Sequence, residues 1–438
     1  MKPHVREIVC FEPSSLALRL KGQRHVTLLE SVMRQEHLGR YSFLACNPRQ
    51  TLTLQPGEEP KALLRRIDGV LAEHRTEHIP GLPPFQGGLA GFIAYDFGRK
   101  LEPHARIPQF SPLCADVMLH VYDTVAAFDH LQERAWIIAR NEADADQLEA
   151  LLARPPQPLG SHRISGFTSN FTQEAYEAAI ARTVDYILSG DIFQANITQC
   201  FSTAIPEGFD PLAFYRVLRQ KNPATFAAYL DYGEIQIASS SPERLLSYDG
   251  ATVEARPIKG TRRRDADPAR DAALIAELAA SRKDRAENVM IVDLLRNDLS
   301  RVARPGTVKV PVLCGLETYA NVHHLTSVIT GELKAGHTVG DLLAATFPGG
   351  SITGAPKIRA MEIIAELEGV ARGVYCGSIG YLGFSGHVDL NIAIRTAQFA
   401  GGMVRVQGGG GITAKSQPGP EFAESLTKIR RIMEAFSA

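Results

Sequence analysis

The order of strand-forming segments restricts the fold more than any other feature of this sequence. Residues 117–130 and 133–140 are both rich in β-forming residues, and only two residues separate them. Antiparallel strands can follow each other after so short a turn, whereas parallel strands need a long crossover. Helical patterns, such as the one that Thr172 caps, do not separate the strands at regular intervals. The sequence therefore predicts an α+β fold with antiparallel sheets and helices on the outside.

Residues 154–158 form the clearest break in the chain. Three prolines in five positions exclude a helix or a central strand there. The length of 438 residues corresponds to about three domains of ordinary size, although one large sheet-based unit is also compatible with it. We divide the chain at this break into an N-terminal part, residues 1–154, and a C-terminal part, residues 155–438.

Charge is balanced over the chain, with 47 Lys and Arg against 48 Asp and Glu. Because no net positive field results, we expect neither nucleic acid nor an anionic membrane as a partner. No apolar run approaches the ~18 residues that span a bilayer, and the first fifteen residues lack the apolar core of a secretory signal. The expected location is therefore the cytoplasm.

Cysteine spacing indicates neither a disulfide framework nor a metal site. The six cysteines are scattered singly along the chain, at Cys10, Cys46, Cys114, Cys200, Cys314 and Cys376. A glutaminase needs an activated cysteine, usually on a tight turn of small residues. None of the six lies in such a turn, so we expect no glutaminase within this chain.

The most basic segment, residues 256–264, carries five cations in nine positions and no acid. A charge run of this kind is usually a solvated loop. Lys259, however, lies between Ile258 and the pair Gly260-Thr261, so it combines cationic and apolar neighbours. Such surroundings lower the pKa of a lysine and make its neutral amine available as a nucleophile or base.

Three glutamates could form an oxygen site for a metal. Glu287 precedes the apolar stripe of a helix predicted within residues 281–303, at the edge of its buried face. Glu421 and Glu424 share one face of a second helix, predicted to begin after Pro420. A sparse site of this kind suits Mg²⁺, which keeps several waters. The alternative is that these acids are simply solvated.

Two glycine-rich segments could bind an anion. Residues 348–357 precede a helix and resemble a phosphate-binding loop, but Ala355 stands where that loop needs its lysine, so we exclude nucleotide binding. Lys357 and the helix N-terminus could still hold a carboxylate. Residues 407–413 follow a strand and let backbone amides approach a ligand, or form a flexible hairpin turn. Residues 386–399 alternate, which predicts one strand with Arg395 on its polar face.

Six segments, taken in order, resemble those of the chorismate-utilising enzymes: PIKGTRRR, ENVMIVDLLRNDLSRV, VHHLTSVITGEL, FPGGSITGAPK, DLNIAIRTA and GGGGITAKSQPGPEFAESLTK. The resemblance is strong from Phe171 to the end and weaker through LLESV, GRYSF and GGLAGFIAYD. It implies the fold of that family, antiparallel sheets packed as a sandwich with helices outside. It also implies that residues 1–154 are a supporting or effector part interlaced with a catalytic part, residues 155–438.

The resemblance also implies roles for individual residues. Lys259 would be the nucleophile, with Glu243 and His324 assisting the leaving group. Glu287 and Glu424 would hold Mg²⁺, with Glu421 acting through water. Chorismate would contact a further set of residues, namely Gly260, Thr261, Tyr375, Arg395, Gly409, Gly410 and Gly411. A tryptophan pocket would lie around Ser31, Tyr41, Ser42, Thr225, Phe226 and Ala227.

Lys259 also indicates a branch of the family. Enzymes that form anthranilate typically have alanine at this position, whereas lysine is typical of those that add ammonia to chorismate to give 4-amino-4-deoxychorismate for folate biosynthesis. Isochorismate and salicylate synthases use a lysine to activate water where this chain has Gln194. The ammonia is expected from a glutamine amidotransferase partner. Anthranilate formation and a non-catalytic subunit that senses tryptophan or chorismate are the alternatives.

Overall fold

The computed structural model describes residues 2–34, 38–318 and 322–438. The strands of these residues are β1 (His4–Ile8), β2 (Val26–Glu30), β3 (Tyr41–Ala45), β4 (Gln50–Thr53), β5 (Gly88–Ile93), β6 (Val117–Tyr122), β7 (Val125–Asp129), β8 (Arg134–Ala139), β9 (Thr168–Ser169), β10 (Gln194–Ala204), β11 (Phe226–Asp231), β12 (Ile235–Ser241), β13 (Arg244–Asp249), β14 (Thr252–Arg256), β15 (Ile258–Arg263), β16 (Lys309–Thr318), β17 (Val322–Glu332), β18 (Gly354–Ala355), β19 (Ser378–Gly383), β20 (His387–Asn391), β21 (Thr396–Ala400) and β22 (Met403–Ile412).

The helices of the same residues are α1 (Pro13–Ala17), α2 (Pro60–Glu73), α3 (Tyr95–Leu101), α4 (Glu142–Leu152), α5 (Gln173–Leu188), α6 (Pro211–Lys221), α7 (Pro268–Ala280), α8 (Arg282–Ser300), α9 (Val339–Thr346), α10 (Lys357–Glu368) and α11 (Pro418–Ser437). A 3₁₀ turn spans Gly350–Ile352. Side-chain caps fix several helix starts: Thr172 accepts a hydrogen bond from the amide of Ala175, and Ser281 from that of Asp284. The predicted cap at Thr172 is confirmed.

The strands form two antiparallel sheets. The first has the order β1-β8-β7-β3-β2-β11-β12-β21-β22-β10-β18, with β9 beside β10. The second has the order β15-β17-β14-β13-β20-β19-β5-β6-β4, with β16 beside β17. Both sheets combine strands from before and after residues 154–158. The boundary between the two parts at that break stays a prediction.

Apolar side chains of both sheets meet in shared clusters, which places the sheets face to face. Phe92 and Ile379 of the second sheet pack with Leu230 and Ile237 of the first, and all four are at most 2% exposed. Helices cover the outer faces, for example α6 and α11 on the first sheet and α8 and α9 on the second. The predicted α+β sandwich with external helices is therefore confirmed.

Two predictions about single strands are wrong because the chain changes sheets. Residues 117–130 divide into β6, in the second sheet, and β7, in the first, so only β7 and β8 form a hairpin. Residues 386–399 divide in the same way into β20 and β21. Among the described residues, no helix combines the length and apolar composition needed to cross a bilayer.

Candidate active site

Lys259 lies on β15, where its side chain turns toward the 3₁₀ turn of residues 350–352. Its Nζ donates a hydrogen bond to the carbonyl oxygen of Ser351 at 3.0 Å. Burial lowers the pKa of Lys259, while the negative charges of Glu287 and Glu243 oppose this shift. The amine is therefore fixed in position, faces two acids and loses its proton more readily than an exposed lysine does.

Three of the four other cations of this segment face carboxylates, and most of the segment belongs to β14 and β15, so it is not a solvated loop. Arg256 pairs with Glu317 at 2.5 Å, Arg262 with Glu277 at 2.8 Å and Arg264 with Asp271 at 2.9 Å. Because each of these cations faces a carboxylate, burial rather than cationic crowding is the main cause of the lowered pKa of Lys259.

Glu243 is joined to Lys259 through Ser351. The Ser351 hydroxyl donates to Oε1 of Glu243 at 2.7 Å, and its carbonyl accepts from Lys259. Glu243 is 6% exposed, and burial raises the pKa of its carboxyl. A buried carboxyl of raised pKa can carry a proton near neutral pH, as a general acid must. The sequence did not single out Ser351, because a serine in a glycine-rich turn carries no chemical signal of its own.

Two of the three predicted metal ligands face each other across a lysine. The Nζ of Lys283 lies 4.0 Å from Oε1 of Glu287 and 3.9 Å from Oε1 of Glu421. Burial raises the pKa of both carboxyls. Oε1 of Glu287 is buried and has no hydrogen-bond partner. A buried oxygen without a partner is costly, and a cation satisfies it.

The third glutamate, Glu424, lies on the exposed side of the same group. It pairs with Lys428 at 2.6 Å, and Lys428 also donates to the carbonyl oxygen of Gly409 at 2.9 Å. Gly410 lets the backbone of β22 lie close to these acids, because a Cβ on it would lie 3.1 Å from Glu421 Oε2 and 3.4 Å from Glu424 Oε1. Within the described ranges no three Asp, Glu, His or Cys side chains converge as a metal site. Glu287 and Glu421 nevertheless share the cation of Lys283, and Glu424 pairs with Lys428 next to them.

The glycine run, residues 408–411, was predicted to be a loop after a strand or a hairpin turn. This prediction is wrong, because the run is part of β22. A Cβ on Gly409 would lie 2.0 Å from the carbonyl oxygen of Ile197 on β10, so only glycine allows this pairing. The backbone of Thr198, opposite Gly409, bonds to Glu368 instead of β22. Antiparallel pairing alternates, so the amides of Gly409 and Gly411 point away from β10, whereas that of Gly410 points toward it.

Arg395 does not lie on the polar face of a strand, as alternation predicted. It has a left-handed φ of 55° in the crossing between β20 and β21. Its guanidinium donates to the carbonyl oxygen of Lys428 at 2.5 Å, and burial lowers its pKa. Tyr375, 4% exposed, lies near Arg395, and burial raises the pKa of its phenol well above the ordinary value, so the ring hydroxyl stays neutral. The crossing therefore brings Arg395 to α11 beside the glutamates.

Three further predicted residues meet on β15 and β17. The Thr261 hydroxyl and Nδ1 of His324 lie 2.8 Å apart. Burial lowers the pKa of His324 to about 4, so the imidazole is neutral near pH 7. Gly260 has a φ of 79°, and a Cβ there would lie 2.9 Å from the side chain of Asp284 on α8. Glycine is therefore needed for the close approach of β15 to α8.

Two further residues named in the sequence analysis are Gln194, the first residue of β10, and Lys357, the first residue of α10. Gln194 is fully buried, neither of its amide atoms has a hydrogen-bond partner, and a Cβ on Gly411 would lie 2.6 Å from its Nε2. Lys357 is not available to a ligand carboxylate, because its Nζ donates to Asp298 at 2.6 Å and to the carbonyl of Thr346 at 3.1 Å. The lysine that was predicted to bind an anion therefore already donates its hydrogen bonds to neighbouring residues.

The predicted tryptophan pocket lies apart from the glutamates, around β2, β3 and β11. The Ser31 hydroxyl donates to the carbonyl oxygens of Tyr41 and Thr225 at 2.7 and 3.2 Å, and the amide of Ser31 donates to the Ser42 hydroxyl. Phe226 lies under the guanidinium of Arg244, and Ala227 is buried in the outer core of the first sheet. Ligand binding at this pocket stays a prediction.

The fold and this constellation define a class of protein. Residues 25–434 match the family described as chorismate binding enzyme, and the chain belongs to that family. It is 37% identical over 441 residues to aminodeoxychorismate synthase component 1 of Bacillus subtilis, covering 95% of this chain and 92% of the relative. It is 38% identical over 456 residues to anthranilate synthase component 1 of Pseudomonas aeruginosa, covering 97% and 92%.

A solved structure is also similar over almost the whole chain. Anthranilate synthase component I from Streptococcus pneumoniae superposes with a TM-score of 0.80 at 32% identity, covering 98% of this chain and 99% of that one. The protein is a chorismate-utilising enzyme. Identity to the two kinds of synthase is nearly equal, so the residues of the site carry the choice between their reactions.

Proposed function

We propose that this enzyme aminates chorismate to 4-amino-4-deoxychorismate, as component I of an aminodeoxychorismate synthase, for 4-aminobenzoate and folate biosynthesis. The observation that carries the proposal is Lys259, whose amine faces Glu243 and Glu287 and has a pKa lowered by burial. A nucleophilic lysine distinguishes this reaction from anthranilate formation, where an alanine typically stands at the same position.

The proposed reaction has two displacements. The neutral amine of Lys259 forms a bond to C2 of the ring while the C4 hydroxyl leaves, and the two ring double bonds move from C1=C2 and C5=C6 to C1=C6 and C4=C5. Ammonia then forms a bond to C4, and the lysine leaves C2 with its electron pair as both double bonds return to their first positions. The enolpyruvyl group is retained, so water is the only small product that is lost.

Glu243 and His324 would assist these departures. The carboxyl of Glu243, whose pKa burial raises, donates a proton to the C4 hydroxyl as it leaves. His324 is neutral near pH 7, and its hydrogen bond with the Thr261 hydroxyl orients it to help the C4 hydroxyl leave. Arg395, Tyr375 and the amides of Gly409 and Gly411 orient the enolpyruvyl carboxylate, while Gly260 and Thr261 contact the ring.

Magnesium fits the group of glutamates. Glu287 and Glu424 would hold the ion and Glu421 would bind it through water. The unpartnered Oε1 of Glu287 and the nearness of Glu421 and Glu424 to one glycine, Gly410, support this assignment. When bound, the ion would neutralise the ring carboxylate and polarise the diene. Lys283 would then leave its place between Glu287 and Glu421.

Ammonia would come from a separate glutamine amidotransferase. None of the six cysteines stands in a Gly-x-Cys-x-Gly sequence, the pattern of a nucleophile turn. The pKa values of Cys46, Cys114, Cys200 and Cys376 are raised by burial, which is the opposite of an activated thiol. A partner that delivers ammonia directly would also prevent its protonation in water.

Product analysis tests the proposal. Purified protein with chorismate, Mg²⁺ and an ammonium salt should accumulate 4-amino-4-deoxychorismate, and glutamine should replace ammonium only when an amidotransferase subunit is added. Anthranilate and pyruvate in equal amounts would refute the assignment in favour of anthranilate synthase component I. That alternative is favoured by the 38% identity to the Pseudomonas aeruginosa enzyme. Binding of chorismate or tryptophan with no product at all would point to a regulatory subunit.

A further inference from the structure

A buried ion pair outside the proposed substrate site bonds to two segments next to that site. Arg372 and Glu368 are both 1% exposed at their side chains and lie 2.6 Å apart. The guanidinium forms two parallel bonds to the carboxylate, from Nε to Oε2 at 3.0 Å and from Nη2 to Oε1 at 2.6 Å. It also lies over the ring of Tyr95 at 4.5 Å. None of the steps proposed above uses this pair.

The remaining donors of Arg372 reach two other segments. Nη1 donates to the carbonyl oxygen of Ile352 at 3.1 Å, and Nη2 donates to that of Asn196 at 2.6 Å. Glu368 in turn accepts from the amide and hydroxyl of Thr198 at 2.8 and 2.9 Å. The pair therefore ties the 3₁₀ turn of residues 350–352 to the start of β10.

The turn that Arg372 holds is the one that organises the reacting groups. Ile352 follows Ser351, whose carbonyl accepts from Lys259 and whose hydroxyl donates to Glu243. A shift of the Ile352 peptide therefore moves Ser351, which is the hydrogen-bond partner of both the proposed nucleophile, Lys259, and the proposed acid, Glu243. Misplacement of reacting groups by 1 Å can cost a hundredfold in rate.

Stability alone does not account for such a pair. Removing two charges from water is costly, and buried ion pairs can often be replaced by apolar residues with no loss of stability. What the guanidinium supplies beyond charge is a rigid fork that bonds two carbonyls and a carboxylate at once. A lysine has the charge but a single nitrogen, which cannot reach all three.

We propose that Arg372 is a positioning residue, which holds the Gly350–Ile352 turn so that Ser351 fixes Lys259 and Glu243 in their reactive arrangement. This inference rests on the proposed function, in which those two side chains carry the chemistry. It assigns to Arg372 and Glu368 a role in the rate of the reaction rather than in substrate affinity.

Arg372→Lys tests the inference through chorismate consumption with ammonium as donor. We expect kcat to fall about 10- to 100-fold while KM changes little, because substrate contacts remain but the turn is loosened. Looser packing also admits water to Lys259 and returns its pKa toward the ordinary value. The limb of the rate profile that rises with pH should therefore move to higher pH.

Arg219→Lys is the matched control. Arg219 makes a similar bidentate pair with Glu30, at 3.0 Å for both bonds, on the outer side of the first sheet. Arg219→Lys should lower the thermal midpoint about as much as Arg372→Lys does, and should leave kcat and the pH profile as in the wild type. Equal kinetic effects of the two variants, or none in Arg372→Lys, would overturn the inference. A wild type that consumes no chorismate would instead refute the proposed function.

A paired substitution covers the case in which Arg372→Lys does not fold. Glu368→Gln combined with Arg372→Gln removes both charges together and leaves no unpaired buried ion. The shorter amide cannot bond the Ile352 and Asn196 carbonyls at once, so the same loss of kcat and the same pH shift are expected. A folded double variant with wild-type kcat would overturn the inference.

Discussion

Burial distinguishes Lys259 from the other cations of its strand. Three arginines of residues 256–264 face carboxylates, whereas burial pushes the amine of Lys259 toward its neutral form. Its carbonyl partner on Ser351 accepts a hydrogen bond from either form of the amine, so it fixes the position without fixing the charge. This arrangement suits a nucleophile that must leave again after it has reacted.

Lys259→Arg tests this role at the level of one side chain. The variant keeps the positive charge and most of the volume, but a guanidinium does not lose its proton near neutral pH. We expect product formation to fall by at least about a hundredfold while the thermal midpoint changes little. Mass spectrometry of the quenched reaction should show a chorismate-derived adduct on wild type alone. An adduct on the variant would place the nucleophile on another residue.

His120 makes a prediction about pH and stability. It is fully buried on β6, with Nδ1 2.9 Å from the Thr51 hydroxyl, and burial lowers its pKa to about 3. An unfolded chain binds a proton there near pH 6.5, so the native state is disfavoured as the pH falls from about 6.5 toward 3. This linkage amounts to roughly 2 kcal/mol between pH 7 and pH 5.

His120→Asn should remove that part of the acid sensitivity. Asparagine can keep the bond to Thr51 but does not take up a proton, so the loss of unfolding free energy between pH 7 and pH 5 should be smaller by roughly 2 kcal/mol. Urea unfolding at the two pH values measures the difference. His104→Asn, at an exposed position, is the control and should keep the wild-type dependence. Equal dependence in both variants would contradict the prediction.

At the scale of elements, β22 depends on glycine as few strands do. Gly409→Ala places a Cβ 2.0 Å from the carbonyl oxygen of Ile197, so β10 and β22 must separate. We expect a loss of roughly 1–3 kcal/mol or more in unfolding free energy, with reduced activity. Gly69→Ala, on an exposed face of α2 with nothing near its Cβ, should instead stabilise by about 0.5–1 kcal/mol. Denaturant unfolding of both variants, with the opposite signs expected, checks this contrast.

The elements also show which signals a sequence carries. Helix starts at Thr172, Asp267 and Ser281 follow from local capping, because the residues that decide them are adjacent in sequence. The predicted start of α11 was three residues late, since the helix begins at Pro418 and not after Pro420. Fold class and the shared face of Glu421 and Glu424 were also accessible, because side-chain periodicity and spacing express them directly, and Lys259 was singled out by its neighbours in sequence.

The crossing at Arg395 and the strand at Gly409 were not accessible in the same way. Alternation continues through Ile392 and Ile394 although the chain leaves one sheet for the other, since apolar residues are needed on both sides of the crossing. A glycine run usually indicates a turn, and only the approach of β10 and α11 makes it a strand. Contacts with distant segments decide both features.

At the scale of the whole molecule, neither part of the chain completes a sheet. β2 needs β11 as its neighbour, and β5 needs β19. Residues 1–154 expressed alone should therefore expose two strand edges and an apolar face, and show no cooperative thermal transition. Circular dichroism on heating, with the full chain as control, measures this. A cooperative transition in the fragment would mean that it folds independently.

The pairing of β5 with β19 also bears on how the protein is made. A ribosome releases β5 long before β19 exists, so one edge of β5 stays unpaired while most of the polypeptide is translated, although β6 pairs with its other edge. Nascent chains in that condition expose hydrogen-bonding edges to one another and attract chaperones. Because strands of the two halves pair with each other, folding is completed only at the end of synthesis. The yield of folded protein in a cell therefore depends on the chaperones and other nascent chains near the ribosome exit.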